Sequence, residues 1–384
     1  MSLRLLTAGE SHGPELVLIL EGMPAGVPVD PEAIDWQLRR RQGGHGRGAR
    51  STKVERDHAE VASGVAFGRT TGAPVAIRIE NLDFANQPSS KPVLTTPRPG
   101  HADLAGATKF GLSDLRVVRE RASARETAAR VAGAALLRPL LAAFGIDLGS
   151  FVTAIGTVGM GADLASLTRS ELRQLAERAE SDPVRCPDPE RARAMIAAID
   201  AARLERQTLG GVFVVFATGV PVGLGSYTHW DLRIDGRLAG AICSIPAVKG
   251  VEVGPAFDVS KMPGANAQDS IVRSGTGLER ASNFAGGIEG GVTNGEPVLL
   301  RAAMKPLSSV RARVTSIDLN TGAEADPAYI RSDVCAVPAA AVVGEAMMAW
   351  VLGSALLDRF GGDRLDAMLA AAAVAAQPNG DWVS

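Results

Sequence analysis

The stretch "RERASARETAARVAGAALL", residues 119–137, constrains the fold more than any other. It runs from a cluster of arginines straight into a helix of small apolar residues. If that helix starts near Ser123, then Arg119, Arg121, Arg125 and Arg130 crowd its first turns. Like charges at i,i+4, such as Arg121 and Arg125, repel by about 0.2–0.5 kcal/mol on a helix surface. Each cation at a helix N-terminus also opposes the macrodipole by about 0.3–1 kcal/mol. Ser123 and Glu126 have capping-box spacing, which supports a start there. Two readings of the charge remain: a solvated cluster pairing with Glu120 and Glu126, or an anion site. In the second, bare N–H groups at the helix end and flanking arginines hold a phosphate or carboxylate. That reading also expects the region to be strained or mobile without its ligand.

Composition narrows the class. Aromatic residues make up 4% of the 384, so the core must be built from Ala, Val, Leu and Ile. The net charge of −2 argues against wholesale nucleic-acid or anionic-membrane binding. Of the basic residues only Lys53, Lys91, Lys109, Lys249, Lys261 and Lys305 are not arginine. Cys186, Cys243 and Cys335 lie far apart and fit no metal-ligand spacing, so no metal is expected and a reducing cytoplasm is the plain reading. The N-terminus lacks a signal-peptide pattern, and no uninterrupted apolar run is long enough to suggest a membrane span.

Strand-like and helix-like segments are mixed throughout. "ELVLILEGMPAGVPV" reads as a strand and turn, and "DPEAIDWQLRRRQ" as a helix with Asp30 as N-cap and Pro31 at its first position. "VASGVAF" and "APVAIRIEN" form a hairpin pattern around "GRTTG". "GSFVTAIGTVGM", "GGVFVVFATGVPVG" and "EPVLLRAAMKP" are further strands. Residues 168–207 look like two surface helices, the first opened by a Thr168–Glu171 capping box. "PAAAVVGEAMMAWVLGSALLDRF" is a long apolar helix. Residues 81–115 read as a long loop, functional or disordered, and residues 250–285 fall in an irregular, Gly-rich stretch that runs to 295. The alternation favours α+β over a doubly wound parallel sheet, and no Rossmann glycine fingerprint is present.

Several short segments could carry chemistry. "RRRQGGHGRGAR", residues 39–50, sets Arg39, Arg40, Arg41, Arg47 and Arg50 among glycines that let backbone approach a ligand. It reads as a small-anion site, a flexible surface loop or an arginine–glycine RNA-binding segment; the third lacks aromatics for base stacking. "GESHGP" places Ser11 and His12 in a turn, where a histidine near arginines suits a proton donor to a leaving phosphate, or has no role. "PRPGHADL" gives Arg98 and His101 the same ambiguity. Lys305 with Ser308 and Ser309 offers a cation and hydroxyls to another phosphate. Together these segments imply a polyanionic ligand set.

"TAGESHGP", "RRRQGGHGRG", "PRPGHADL", "ERASARETAARVA", "SIPAVKGVE", "AGGIEGGVTNG" and "RSDVCAVPAA" resemble, in order, the signatures of the chorismate synthase family, from Leu5 to about residue 360. The resemblance implies a single domain over 1–384 of α+β class: a β-α-β sandwich, helices between antiparallel sheets, with pseudo-twofold halves. It implies a cytoplasmic carbon–oxygen lyase, assembled as a homotetramer, that eliminates phosphate from 5-enolpyruvylshikimate 3-phosphate in a trans-1,4 sense to give chorismate. Reduced FMN is required without net redox change. NADPH is a conceivable reductant, although no extra domain for that task is evident and an external flavin reductase is expected as partner.

Roles follow by motif. Ser11 and His12 resemble the substrate-phosphate contact, with His12 donating a proton to departing phosphate. Arg41, Arg47 and Arg50 look like substrate clamps, and the first two are also implied in pyridine-nucleotide contact. Arg98, Arg125 and Arg331 look like further substrate contacts. His101 resembles the residue that protonates the reduced flavin, and Asp333 the acceptor of a proton through flavin N5. Arg121, Ala122, Ser123, Pro246, Ala247, Gly290, Lys305, Pro306, Leu307, Ser308, Ser309 and Ser332 resemble the flavin site. The chain departs from the family at "GANAQDS", residues 264–270, which puts that segment's part in flavin binding in doubt, and at His45. Two rivals remain: a non-catalytic arginine–glycine nucleic-acid binder, and a flavin-dependent paralogue acting on another phosphorylated enol ether.

Overall fold

The computed structural model describes residues 3–88, 91–161, 163–275, 277–327 and 332–375. Two antiparallel sheets carry the architecture. The first contains β1 (Arg4–Ala8), β2 (Glu15–Glu21), β3 (Glu60–Val61) and β4 (Val75–Glu80), in the order β1-β2-β4-β3. Its register pairs Leu16 with Ile79, Leu18 with Ile77 and Leu20 with Val75, so the alternating apolar residues fill one buried face. The other face mixes charged and exposed apolar side chains, with Arg78 paired to Glu15 and Leu6 opposite Ile19. One covered face and one solvated face is the usual state of an antiparallel sheet.

The second sheet contains β5 (Asp147–Ile155), β6 (Val158–Gly159), β7 (Gly211–Thr218), β8 (Val248–Val253) and β9 (Val298–Met304), in the order β8-β9-β7-β5-β6. Both of its faces are covered. Phe213, Val215 and Ala217 of β7 join the main core, whereas Val214 and Phe216 pack with Phe151, Leu172 and Leu299 in a second cluster. That two-sided burial explains why β7 reads as an unbroken apolar run.

The helices, in chain order, are α1 (Pro31–Gln42), α2 (Asp103–Phe110), α3 (Leu115–Arg121), α4 (Thr127–Ala135), α5 (Leu137–Ala143), α6 (Arg169–Glu180), α7 (Pro189–Leu204), α8 (Ile234–Cys243), α9 (Val337–Phe360) and α10 (Leu365–Ala375). Asp30 caps α1 by accepting from the Glu32 N–H, and Thr168 with Glu171 forms the full capping box of α6. α4 packs on β1, β2 and β4; α9 packs on β5 and β7; the two helices also pack on each other and on α1. α9 is long and apolar enough to cross a membrane, but most of it lies inside the core. Gly344 permits its close approach to β7, because a Cβ there would stand 2.9 Å from Phe213 Cε2.

Three local expectations need correction. The helical turn that Ser123 caps does not carry all four arginines. α3 starts at Asp114, whose side chain accepts from the Arg116 N–H, and ends at Arg121. Arg119 and Arg121 therefore sit in its last turn, where the dipole favours cations. Ser123 Oγ accepts from the Arg125 N–H (3.3 Å) and caps a short 3₁₀ turn, Ala124–Glu126, before α4. The expected capping box does not form: the Glu126 carboxylate accepts instead from Thr7 Oγ1 (2.7 Å) and Arg130 Nε (2.8 Å). Secondly, residues 81–115 are not all loop, since they contain a 3₁₀ turn at Leu82–Asn86 and all of α2; the 250–285 segment likewise holds the Ile271–Ser274 and Gly277–Arg280 hairpin. Thirdly, "VASGVAF" splits at Gly64, so that Val65–Ala66 pairs with Arg69–Thr70 while β3 joins β4.

Candidate active site

A cavity of about 490 Å³ opens where the two sheets' loops meet the α3–α4 junction. Its wall is assembled from the turn after β1, the segment after α1, the approach to α2, the α3–α4 junction, the turn before β8, the segment after β9 and the start of α9. Each contributing segment is a strand or helix terminus, so rigid elements position the side chains.

One side of the cavity is an arginine platform. Arg50 Nη1 donates to Ser11 Oγ (2.8 Å), and its Nε to Glu55 Oε1 (3.0 Å). Arg125 is held through Nη1 by both oxygens of Asp57 (2.6 and 2.8 Å) and through Nε by Asn81 Oδ1 (2.8 Å). Arg41 Nε donates to Thr127 Oγ1 (2.9 Å) and Nη2 to the Ala124 carbonyl (2.9 Å). Arg47 pairs with Asp333, whose other oxygen accepts from the Gly48 N–H (2.6 Å). Burial lowers the Arg41 guanidinium to about 9, opposed by Asp57 and reinforced by Arg125 and Arg47, so it stays cationic at neutral pH. Four arginines here face three carboxylates, which leaves a focused positive field.

The two histidines flank this platform in different company. His12 Nδ1 lies 2.8 Å from Glu120 Oε2, which also accepts from the His12 backbone N–H (2.8 Å). Burial opposes ionisation of Glu120, but the bonds from His12 outweigh it and hold the carboxyl below its ordinary range. His101 Nδ1 lies 2.6 Å from Asp103 Oδ1, at the first residue of α2. Arg98 clamps the same carboxylate through Nε (2.9 Å) and Nη2 (3.1 Å), and its Nη1 reaches Ser309 Oγ (2.6 Å). Asp103 is fully buried; burial opposes its charge, yet the bonds from His101 and Arg98 keep it well below the carboxylate range.

The opposite wall is apolar, with Ile245, Ala247, Met304, Leu307, Ala339 and Val343. Ala247 holds a positive φ of 69°, a conformation that costs a non-glycine residue and turns the chain along the wall. Lys305 Nζ donates to Ser308 Oγ (2.9 Å), which donates to the Gly100 carbonyl (2.7 Å). Burial, aided by Lys249, lowers the Lys305 ammonium.

Of the residues singled out in the sequence, Ser11, His12, Arg41, Arg47, Arg50, Arg98, His101, Ala122, Ser123, Arg125, Pro246, Ala247, Lys305, Leu307, Ser308, Ser309, Ser332 and Asp333 line this one cavity. Three do not. Arg121 turns away to the Thr7 and Gly9 carbonyls (2.8 and 3.2 Å) and ties the His12 turn to α3. Gly290 sits in the tight turn between Ile288–Glu289 and Val292–Thr293, and Pro306 is passed over between two lining residues. Arg331 lies outside the described residues. Nor does the 264–270 segment reach the wall; Asp269 there accepts from the Phe284 and Ala285 N–H groups (2.7 and 2.8 Å). His45 points to Asp200 (2.8 Å) rather than to the cavity.

Sequence reasoning missed Gln42, Glu55, Arg119 and Glu120 as lining residues. The "RE" of the opening stretch was a usable signal: residues 119 and 120 fall one helical turn before Ser123. The helix end is not left with bare repulsion either, because Arg125 meets Asp57, Arg130 meets Glu126, and Arg119 Nη2 lies 3.7 Å from Asp103. Arg119 is nonetheless buried with Nε and Nη2 lacking any hydrogen-bond partner, as is Gln42 Nε2. Unsatisfied donors beside a basic cavity with one apolar wall fit a ligand that is both flat and anionic. The donor set therefore suits phosphate or carboxylate groups carried on a partly apolar ligand.

A family profile described as chorismate synthase matches residues 3–357. The chain belongs to the chorismate synthase family. The chorismate synthase of Rubrobacter xylanophilus is 52% identical over 369 residues, covering 94% of this chain and 93% of that protein. That of Moorella thermoacetica is 52% identical over 374 residues, covering 94% and 95%. A crystal structure of a chorismate synthase superposes with a TM-score of 0.81 at 42% identity, covering 98% of this chain and 97% of the other. Chorismate synthases at this likeness span nearly the whole chain, so the cavity lies within the shared part.

Proposed function

We propose that this chain is a chorismate synthase that converts 5-enolpyruvylshikimate 3-phosphate to chorismate and inorganic phosphate by trans-1,4 elimination, with reduced FMN as its cofactor. The observation that carries the reading is the convergence of two carboxylate-paired histidines and six arginines on one cavity with an apolar wall. The substrate presents one phosphate and two carboxylates, and those anions suit the Arg41, Arg47, Arg50, Arg98 and Arg125 donors, with Arg331 as a further contact.

Reduced FMN, when bound, supplies a transient electron source for a reaction without net redox change. Ala122, Ser123, Pro246, Ala247, Leu307, Ser308, Ser309, Ser332 and Lys305 would hold it, with the apolar wall against the flat ring and Lys305 with the serines offering phosphate donors. The protein's own work is positioning and proton management. His12, oriented by Glu120 beside Ser11 and Arg50, delivers a proton to the departing phosphate. Asp333, steadied by Arg47 and the Gly48 N–H, accepts the proton lost from the ring. His101 exchanges the proton needed to keep the cofactor's charge balanced. Burial among α3, α9 and the 98–102 loop keeps water from the reacting bonds.

The reading extends to the whole chain: one domain, its two sheets and intervening helices forming a sandwich of pseudo-twofold halves, active in the cytoplasm as a homotetramer. Exposed Phe67, Tyr227, Trp230, Phe257 and Leu278 offer apolar surface for such assembly. Reduced flavin comes from an external reductase rather than from built-in NADPH oxidation. Chorismate release under anaerobic conditions tests this directly, with reduced FMN, oxidised FMN, or oxidised FMN plus NADPH. Product with reduced FMN alone is expected. Product also with oxidised FMN plus NADPH would assign a built-in reductase, and no product at all would overturn the lyase reading in favour of a paralogous substrate.

A further inference from the structure

The surroundings of His101 specify where its protons sit. Asp103 has no exposed surface and accepts from the Arg98 backbone N–H (3.1 Å), from two guanidinium nitrogens and from His101. An ionised carboxylate can only accept a hydrogen bond, so the ring nitrogen 2.6 Å from Asp103 Oδ1, Nδ1, must carry hydrogen. A guanidinium can only donate. Arg98 Nη2 lies 3.0 Å from Nδ1 and 3.2 Å from Nε2, and Nδ1 is already committed as a donor. Nearly equal distances to both ring nitrogens place Nη2 over the ring face rather than along the Nε2 lone pair, and Nη2 already donates to Asp103 Oδ1 (3.1 Å). Nδ1 is thus assigned by a partner that can only accept, which leaves Nε2 as the nitrogen available to a ligand.

His12 offers the contrast. Its Nδ1 also meets a carboxylate, but its Nε2 faces Asp83 at 3.8 Å rather than a cation. The two histidines are therefore prepared differently within one cavity.

We propose that Asp103 is a positioning residue for the reaction: oriented by Arg98, it holds His101 with hydrogen on Nδ1, so that Nε2 is the nitrogen that exchanges a proton with the ligand. The proton exchange rests on the proposed role of His101, but the assignment of Nδ1 does not. Arg119 Nη2, 3.7 Å from Asp103 Oδ2, adds a second cation beneath the carboxylate and helps keep it ionised.

Two measurements test the assignment. Magic-angle-spinning NMR of ¹⁵N-histidine-labelled, ligand-free protein at neutral to mildly alkaline pH should show a ring with protonated Nδ1 and bare Nε2. That signal should vanish in His101→Gln, and in Asp103→Asn it should move to the Nε2–H form or a mixture. A protonated Nε2 in the signal that His101→Gln removes would overturn the proposal, whatever the fate of Asp103→Asn. In the chorismate assay, Asp103→Asn should lower kcat by about 10²-fold. In a His101→Ala background it should lower kcat by no more than about twofold further, because the two residues act as one unit. Losses that multiply instead would mean that Asp103 merely starts α2, and would overturn the positioning role. If the unmodified protein forms no chorismate, the lyase reading falls while the NMR spectrum still decides the tautomer.

Discussion

At the scale of single residues, the cavity is a set of cations that the protein has already half neutralised. Asp57 shows how. Its side chain is fully buried, accepts both of its short bonds from Arg125 Nη1 and lies 3.7 Å from Arg41 Nη1. Neither arginine could be buried so deeply without it, since an unpaired buried charge costs several kcal/mol. Asp57→Asn keeps the shape and removes the charge, so two guanidinium groups are left to repel each other. The expected result is a loss of about 3 kcal/mol of stability, seen as a lower urea midpoint with an unchanged slope. A midpoint equal to that of the unmodified protein would show that solvent or Glu55 neutralises Arg125 unaided. Asp57 has no sequence signature of its own. It reads as an ordinary polar residue in "VERDHAE", and only the fold brings it to Arg125, 68 positions away.

At the scale of elements, helix starts were legible and helix partners were not. Asp30, Thr168 and Glu171 act as caps because the cap bond is local, a matter of two or three residues. Ser123 caps its turn by the same local bond, but Asp114 lies inside a stretch rich in Pro, Gly and Asn that resembles a loop, so α3 leaves no comparable signal. Long-range pairing left no such trace. Glu345, in the middle of the apolar α9, is fully buried and meets Arg40 (2.7 Å), Arg138 and Ser150 Oγ (2.6 Å), with Arg185 at 3.5 Å. That cluster ties α9 to α1, α5 and β5, and so fixes the helix whose first turns form the cavity floor. Burial opposes ionisation of Glu345, but Arg40 and Arg138 outweigh it and hold the carboxyl far below its ordinary range. A depressed folded-state value stabilises the fold above the unfolded value, about 4.3, and that contribution is lost as pH falls below it. Glu345→Gln should therefore lower the melting temperature clearly at pH 7, and the gap to the unmodified protein should narrow as the pH drops below about 4. A gap that stays constant from pH 7 downward would mean that the cluster contributes packing rather than charge.

At the scale of the whole molecule, the cavity belongs to no single part of the chain. His12 and the Arg41–Arg50 platform come from the first sheet's connections, whereas Ala247, Lys305 and Asp333 come from the second sheet and the start of α9. This is why composition and periodicity could suggest an α+β fold but could not assemble the site. Most of the long motifs could, because they mark segments that line the same cavity, although "AGGIEGGVTNG" supplies no lining residue. Ligands that span the cavity should then add to the contacts that hold the two sheets together. Oxidised FMN and 5-enolpyruvylshikimate 3-phosphate, which together should not turn over without reductant, provide the test. At a free concentration one hundred times its Kd, each ligand that binds only the folded state stabilises it by about 2.7 kcal/mol. With the pair added, the unfolding midpoint should rise by more than the sum of the separate shifts. Two anionic ligands repel each other, so the gain must come from order: the ligand bound first fixes the cavity-lining segments, and the second no longer meets that cost. Strictly additive shifts would make the cavity two independent subsites, and an unchanged midpoint with either ligand would remove that ligand from it.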